Sequence, residues 1–202
     1  MSRDDVLARL HRIYAAIDAV LEGDLTKFLP HIFQDETHFA MYQDFVGGLT
    51  PAEVSNLAHS VIHNVAHLRY HLRRWAAKNG HNPSRIDQAI SHSVPLQIIT
   101  DLSNNDKHGY PPRNAGHSGK APQVAEITRV LCLTTAAEAG SSVMVILTPS
   151  GPKQVSGSGS TNVAVSGQVV DAYGTVIGDL YDLEVEALKG WEQELKDLGI
   201  LT

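Results

Sequence analysis

From Pro51 to Lys78 the sequence contains no residue that breaks a helix, and both ends of this stretch carry helix boundary signals. Thr50 stands before Pro51, with Glu53 three residues on, the spacing at which a hydroxyl and a carboxylate cap each other's backbone N–H groups. Asn79-Gly80 supplies the stop. At 1.5 Å per residue the stretch is a rod of about 40 Å, as long as a small domain is wide, so the rest of the chain has to pack around it.

Other helices follow from apolar spacing. Val6, Leu7, Leu10, Ile13, Tyr14, Ile17 and Leu21 recur at a helical period that Gly23 ends. Ile86, Ile90, Leu96, Ile98, Ile99 and Leu102 give an apolar face to a second long helix from about Pro83 to Lys107, bent at Pro95. Between the first helix and the rod, Pro30 and Gly47-Gly48 break an apolar segment that reads as short helical turns and loops.

After His108 the pattern changes to a loop and then to β-rich runs, "VAEITRVLCLTT" and "SSVMVILTP", joined by a turn at "AEAG". "GPKQVSGSGST" reads as a mobile Gly/Ser segment, and a strand pair follows across Tyr173-Gly174. An amphipathic helix with Leu180, Leu183, Ala187, Trp191 and Leu195 on one side closes the chain. The fold class is α+β: a helical bundle over residues 1–108, a loop over 109–122, and over 123–202 an antiparallel β-meander with a terminal helix packed on the bundle, all one compact unit.

Cys132 is the sole cysteine, which rules out an intrachain disulfide framework and Cys-rich zinc sites. The first residues alternate charged with apolar side chains, and no run reaches membrane-spanning length; a soluble, cytoplasmic protein without a membrane partner is expected. The net charge of −6 is unevenly spread. Val54 to Ala125 carries eight Lys and Arg against three acids, leaving eight against nineteen elsewhere, so an acidic chain has a basic middle.

Two groups in that middle bear chemistry. His59, His63, His67 and His71 lie four apart, a helical stripe that drifts about 40° per step. Neighbouring imidazoles can chelate a divalent ion, and a site built from His63, His67 and His38 is one reading. A straight helix cannot give three ligands to one tetrahedral ion, and a stripe of hydrogen-bonded imidazoles under other helices is the other reading. Arg69, Arg73, Arg74 and Lys78 form cationic faces that attract phosphates, with Tyr70 or Trp75 as stacking surfaces for an unpaired base. The alternative is a solvated face paired with the acidic terminal helix.

The stretch "LSNNDKHGYPPRN" holds the second group. Asn104 and His108 are a turn apart, with Lys107 alongside and Asp101 a turn before Asn104. Histidine changes charge near neutral pH, so His108 suits proton transfer; Asn104 can orient it and Lys107 can neutralise developing negative charge. Alternatively these polar side chains tie off the last helix carbonyls before Gly109 turns the chain away.

A His- and Arg-rich helix followed by one ending Asn-x-x-x-His resembles the HEPN superfamily of small helical domains. The resemblance rests on Asn104, His108 and the helical context. It implies a metal-independent ribonuclease of toxin or defence type, needing no cofactor, with a composite site in a homodimer; other members are inactive binding modules. Ser103 stands where the family motif has arginine, so Arg69, Arg73 or Arg113 would have to supply the guanidinium. From about Leu57 onward the chain also resembles a group of bacterial and phage-associated proteins with an Asn-x-x-Lys-His segment and a terminal hairpin leading into a Trp-containing helix. The expectations are therefore an RNA-directed enzyme with His108, Asn104 and Lys107 in its site, a non-catalytic module for nucleic acid or an acidic protein, or a metal protein built on the histidine stripe. Self-association through the long helix is expected for the first two.

Overall fold

The computed structural model describes residues 1–110, 116–135 and 140–201. Helix α1, Arg3–Val20, leads into the two-residue strand β1, Leu21–Glu22, a 3-10 turn at Leu25–Lys27 and the hairpin β2, His31–Gln34, with β3, Phe39–Tyr42. Helices α2, Pro51–Lys78, α3, Ser84–Ser91, and α4, Val94–His108, follow. Strands β4, Gln123–Thr134, β5, Val143–Thr148, β6, Gly151–Gly157, β7, Ser160–Val170, and β8, Val176–Asp179, precede the last helix, α5, Leu180–Asp197. The chain is mixed α and β, with the antiparallel sheet and terminal helix expected of it.

The rod forms as its end signals dictate. Glu53 N donates to Thr50 Oγ1 at 3.2 Å and Thr50 N to Glu53 Oε2 at 2.8 Å, the reciprocal cap. Val54, Ala58, Val61, Ile62, Val65, Leu68, Leu72 and Trp75 are all buried along it. They face α1, α3, α4, α5 and the sheet, which makes α2 the central element. The helix expected to pair with a copy of itself thus has its apolar face covered by its own chain. One hydrophobic cluster runs from Val6 to Ile200 and includes Trp191, which is fully buried with its Nε1 donating to the Val65 carbonyl at 2.9 Å.

Four local expectations give way. The second long helix is two helices, because Ser93 caps a new start by accepting from Leu96 N, and Pro95 lies in the first turn, where no N–H is needed. The segment expected as helical turns contains the β2–β3 hairpin, whose registry runs from His31 opposite Tyr42 to Gln34 opposite Phe39. The 108 N-terminal residues are therefore not purely helical. Nor are the strands a simple meander: β4 pairs with β7, β5 with β6, and β1 and β8 share the other edge of β7. The "AEAG" turn falls largely outside the described residues. Finally, the Gly/Ser segment is strand β6 and the start of β7, not a mobile linker. Gly157 sits at φ +103°, and a Cβ there would lie 2.0 Å from the Ser142 carbonyl oxygen; that glycine serves close backbone approach.

Arg85 joins α3 to α5 through Glu194 at 2.6 Å and Asp197 at 3.3 Å. Among the described residues no helix is long and apolar enough to cross a membrane.

Candidate functional site

Where α2 crosses the last turns of α4, the histidine stripe meets the polar end of "LSNNDKH". His63 bridges both helices' polar groups: its Nδ1 is 2.9 Å from Ser103 Oγ and its Nε2 is 2.8 Å from Asp106 Oδ2. A carboxylate only accepts, so Nε2 bears the hydrogen, and in the neutral ring Nδ1 accepts from the Ser103 hydroxyl. His59 approaches the other oxygen of Asp106, with Nε2 to Oδ1 at 3.6 Å, while its Nδ1 donates to the Ser55 carbonyl at 2.8 Å. One carboxylate from α4 thus binds the imidazole of His63 and, when His59 carries both ring hydrogens, pairs with that ring too.

His67, next in the stripe, stacks on His63 with ring centroids 5.7 Å apart and accepts from the Lys107 ammonium. Burial, and then the charge of Lys107, hold its imidazole below the ordinary histidine range. Contacts continue from His67 to Tyr70, whose ring lies under the Arg69 guanidinium at 5.0 Å, and from Arg69 Nη1 to His117 Nε2 at 3.2 Å. His71 leaves the group. The drift of a 3.6-residue period turns it from α4 toward α1, where Arg9 and Arg12 bear on it.

A groove of about 310 Å³ opens beside this crossing, lined by His59, Asn105, Asp106, Tyr110 and Gln123 among others. Its far wall is tied to α4. Asn105 Nδ2 donates to the Pro122 carbonyl at 2.8 Å. Asp101, buried to 2% exposure, accepts from the His117 and Ser118 amides at 2.8 Å each and from the Ser118 hydroxyl at 2.7 Å. The Asp101 expected to accompany Asn104 instead anchors the returning loop.

The sequence-derived site residues separate. The His108 side chain is exposed on the last turn of α4 and makes no hydrogen bond, ion pair or ring contact with other described residues, and that of half-buried Asn104 makes none either. Lys107 is held at His67 and Arg69 at His117. Arg73 is paired with Asp87 of α3, while Arg74 faces α1 and Lys78 ends the helix one turn further on. Of the two expected cationic faces, Arg69 and Arg73 are thus drawn to separate partners, while Arg74 and Lys78 both bear on the Met1 amino terminus. Arg113 lies outside the described residues. Tyr70 is exposed and available for stacking, whereas Trp75 is buried and stacked on His81 at 5.1 Å, because it lies on the core side of α2.

The metal reading also loses its third ligand. His38 belongs to the β2–β3 hairpin, where it engages Thr37 and Asp35, and no three His, Cys, Asp or Glu among the described residues are grouped to hold an ion. Sequence reasoning missed the Ser103–His63–Asp106 bridge and the partnership of His71 with Arg9 and Arg12. The i, i+3 spacing of Ser103 and Asp106 was visible, but not that it would lie against the stripe. Comparison with protein-family models, curated proteins and solved structures gives no match to this chain.

Proposed function

We propose that this is a HEPN-like, RNA-directed protein that cleaves phosphodiester bonds without a metal, using His59 of α2 together with His108 on the last turn of α4. The observation that carries the reading is the pairing of His59 and His63 with one carboxylate, Asp106, beside an open groove and next in sequence to Lys107 and exposed His108.

RNA cleavage by its own 2′-hydroxyl needs a base for that hydroxyl, an acid for the departing 5′-oxygen and positive charge near the phosphorus. His108, uncommitted and exposed, takes the base role, with Asn104 one turn away to orient it. His59, which lines the groove and is oriented by Ser55 and Asp106, takes the acid role. Lys107 and Arg69 supply cations, and Tyr70 offers a face to an unpaired base. The resemblance extends the proposal to a cytoplasmic toxin or defence enzyme acting as a homodimer, whose interface would use faces other than the covered one of α2.

The test is cleavage of a labelled single-stranded RNA in the presence of a chelator. His108→Ala and His59→Ala are each expected to slow cleavage by about 10²- to 10⁴-fold with folding retained. Cleavage at the wild-type rate in both variants would remove the proposal.

A second reading, a non-catalytic module binding RNA or an acidic protein, draws on Ser103. It occupies the family's arginine position, is buried, and is bonded to His63, so it offers no charge to a phosphate. It predicts binding that weakens steeply with salt and yields no product.

A further inference from the structure

A second cleft, of about 310 Å³, lies between α1 and α2 and shares no lining residue with the groove beside Asp106. Arg9 and Arg12 enter it from successive turns of α1, and His71 and Arg74 from successive turns of α2. The i, i+3 spacing within each pair brings both members to one face of its helix, and the packing of α1 on α2 turns the two faces toward each other.

These cations have no carboxylate of their own. Among the described residues neither Arg9, Arg12 nor Arg74 takes part in an ion pair, although the chain carries an excess of acids. The one carboxylate at the cleft, Asp5, is occupied by its cap: Ser2 N donates to Asp5 Oδ2 at 2.6 Å and Asp5 N to Ser2 Oγ at 3.1 Å. Three guanidiniums around one volume repel each other unless an anion lies among them. Each offers planar, paired N–H donors matched to the oxygens of a phosphate.

We propose that this cleft binds a phosphate monoester dianion, with Arg9, Arg12 and Arg74 as its donors and His71 as a fourth, proton-linked partner. A set of cations around one cleft suits a doubly charged terminal phosphate better than a polynucleotide backbone, whose single charges require a track of cations along the surface. The volume sits at the low end of small-molecule pockets, leaving room for a sugar-sized group attached to the phosphate.

His71 gives the site a pH signature. The groups facing it are Arg9, Arg12 and Asp5 from α1, Arg74 and His67 from α2, and the Met1 amino terminus with Lys78 beside it, which is why the His71 ring is followed separately in the test. Burial and then the three guanidiniums hold the imidazole below the ordinary histidine range, so it is neutral in the empty cleft near pH 7. A bound dianion reverses the electrostatic part of that shift. Binding of the dianion therefore places a proton on His71 and tightens as pH falls from about 8, until the ligand's own second ionisation, near pH 6, withdraws the dianion.

The experiment is calorimetric titration of the whole chain with inorganic phosphate, adenosine 5′-monophosphate, and one short oligoribonucleotide with and without a 5′-phosphate, in two buffers of different ionisation heat. His71 ring resonances are followed in parallel. Saturable binding with proton uptake is expected, weakened at least about tenfold in Arg12→Ala and in Arg74→Ala, while Lys196→Ala on α5 binds as the wild type does. Arg12→Lys, which keeps the charge but not the paired donors, should recover only part of the loss. Binding of inorganic phosphate or the mononucleotide supports a small-molecule ligand; binding of the 5′-phosphorylated oligonucleotide alone supports the site with an RNA end as its source. No saturation by any of these up to about 10 mM, or equal affinity in the Arg12→Ala and Arg74→Ala proteins, overturns the proposal. The result does not depend on whether the α2–α4 site cleaves RNA.

Discussion

Glu184 is a carboxylic acid inside the core, 2% exposed on α5, and its Oε1 finds no hydrogen-bond donor among the described residues. Burial first, and then the charge of Asp179, push its carboxyl well above the usual range. Between the unfolded and folded pKa values the folded protein holds a proton that the unfolded chain has released. Stability is therefore lost as pH rises through that window, at about 1.4 kcal/mol for each unit of difference. Glu184→Gln is expected to be more stable than the wild type at pH 8, with the advantage vanishing toward pH 4; denaturant unfolding at both pH values checks it. Asp101 is the opposite kind of buried acid, matched by three donors. Asp101→Ala leaves the His117 and Ser118 amides unpaired and should cost about 3 kcal/mol, with faster amide exchange in residues 116–120. Gly116, at φ +71°, has Asp101 where a Cβ would go, 2.4 Å from Oδ1, so Gly116→Ala should loosen the same loop.

At the scale of elements, α2 is fixed from its ends and α4 from its surroundings. Thr50→Ala removes one half of the reciprocal cap and is expected to cost about 1 kcal/mol, read as a fall of about 2–4 °C in the melting temperature. Ser103→Ala deletes a hydroxyl that holds His63 without touching the charges around it. In the RNA assay it should change the rate by less than His59→Ala does, because the Asp106 contact to His63 remains. The β5–β6 hairpin illustrates what an element can hide. Its glycines satisfy close strand approach, and in sequence such a string is indistinguishable from a flexible linker until its partner strand is known.

For the whole molecule, two neutralised imidazoles contribute to the acid side of stability. His67 and His71 both titrate below the ordinary histidine value, so on acidification the unfolded chain gains protons before the folded one. Their contribution is present above about pH 6.5 and is lost as pH falls below it. Thermal melts should shift down from pH 7.5 to 5.5, and less so in His71→Gln.

The sequence by itself determined the long helix, its caps, the stripe of histidines and the change from helix to strand after His108, because these depend on neighbours within one or two turns. It placed Asn104, Lys107 and His108 on one helix end, but not the separate surroundings of their side chains. It could not tell that Ser103 and Asp106 would close on His63, that His71 would turn away to Arg9 and Arg12, or that Trp75 would face inward. Those outcomes depend on which helix lies against which side of α2, and that is settled by the burial of apolar surface from residues far apart in the chain. Only the tertiary structure decided how one row of imidazoles divides between a carboxylate on one side and a set of guanidiniums on the other.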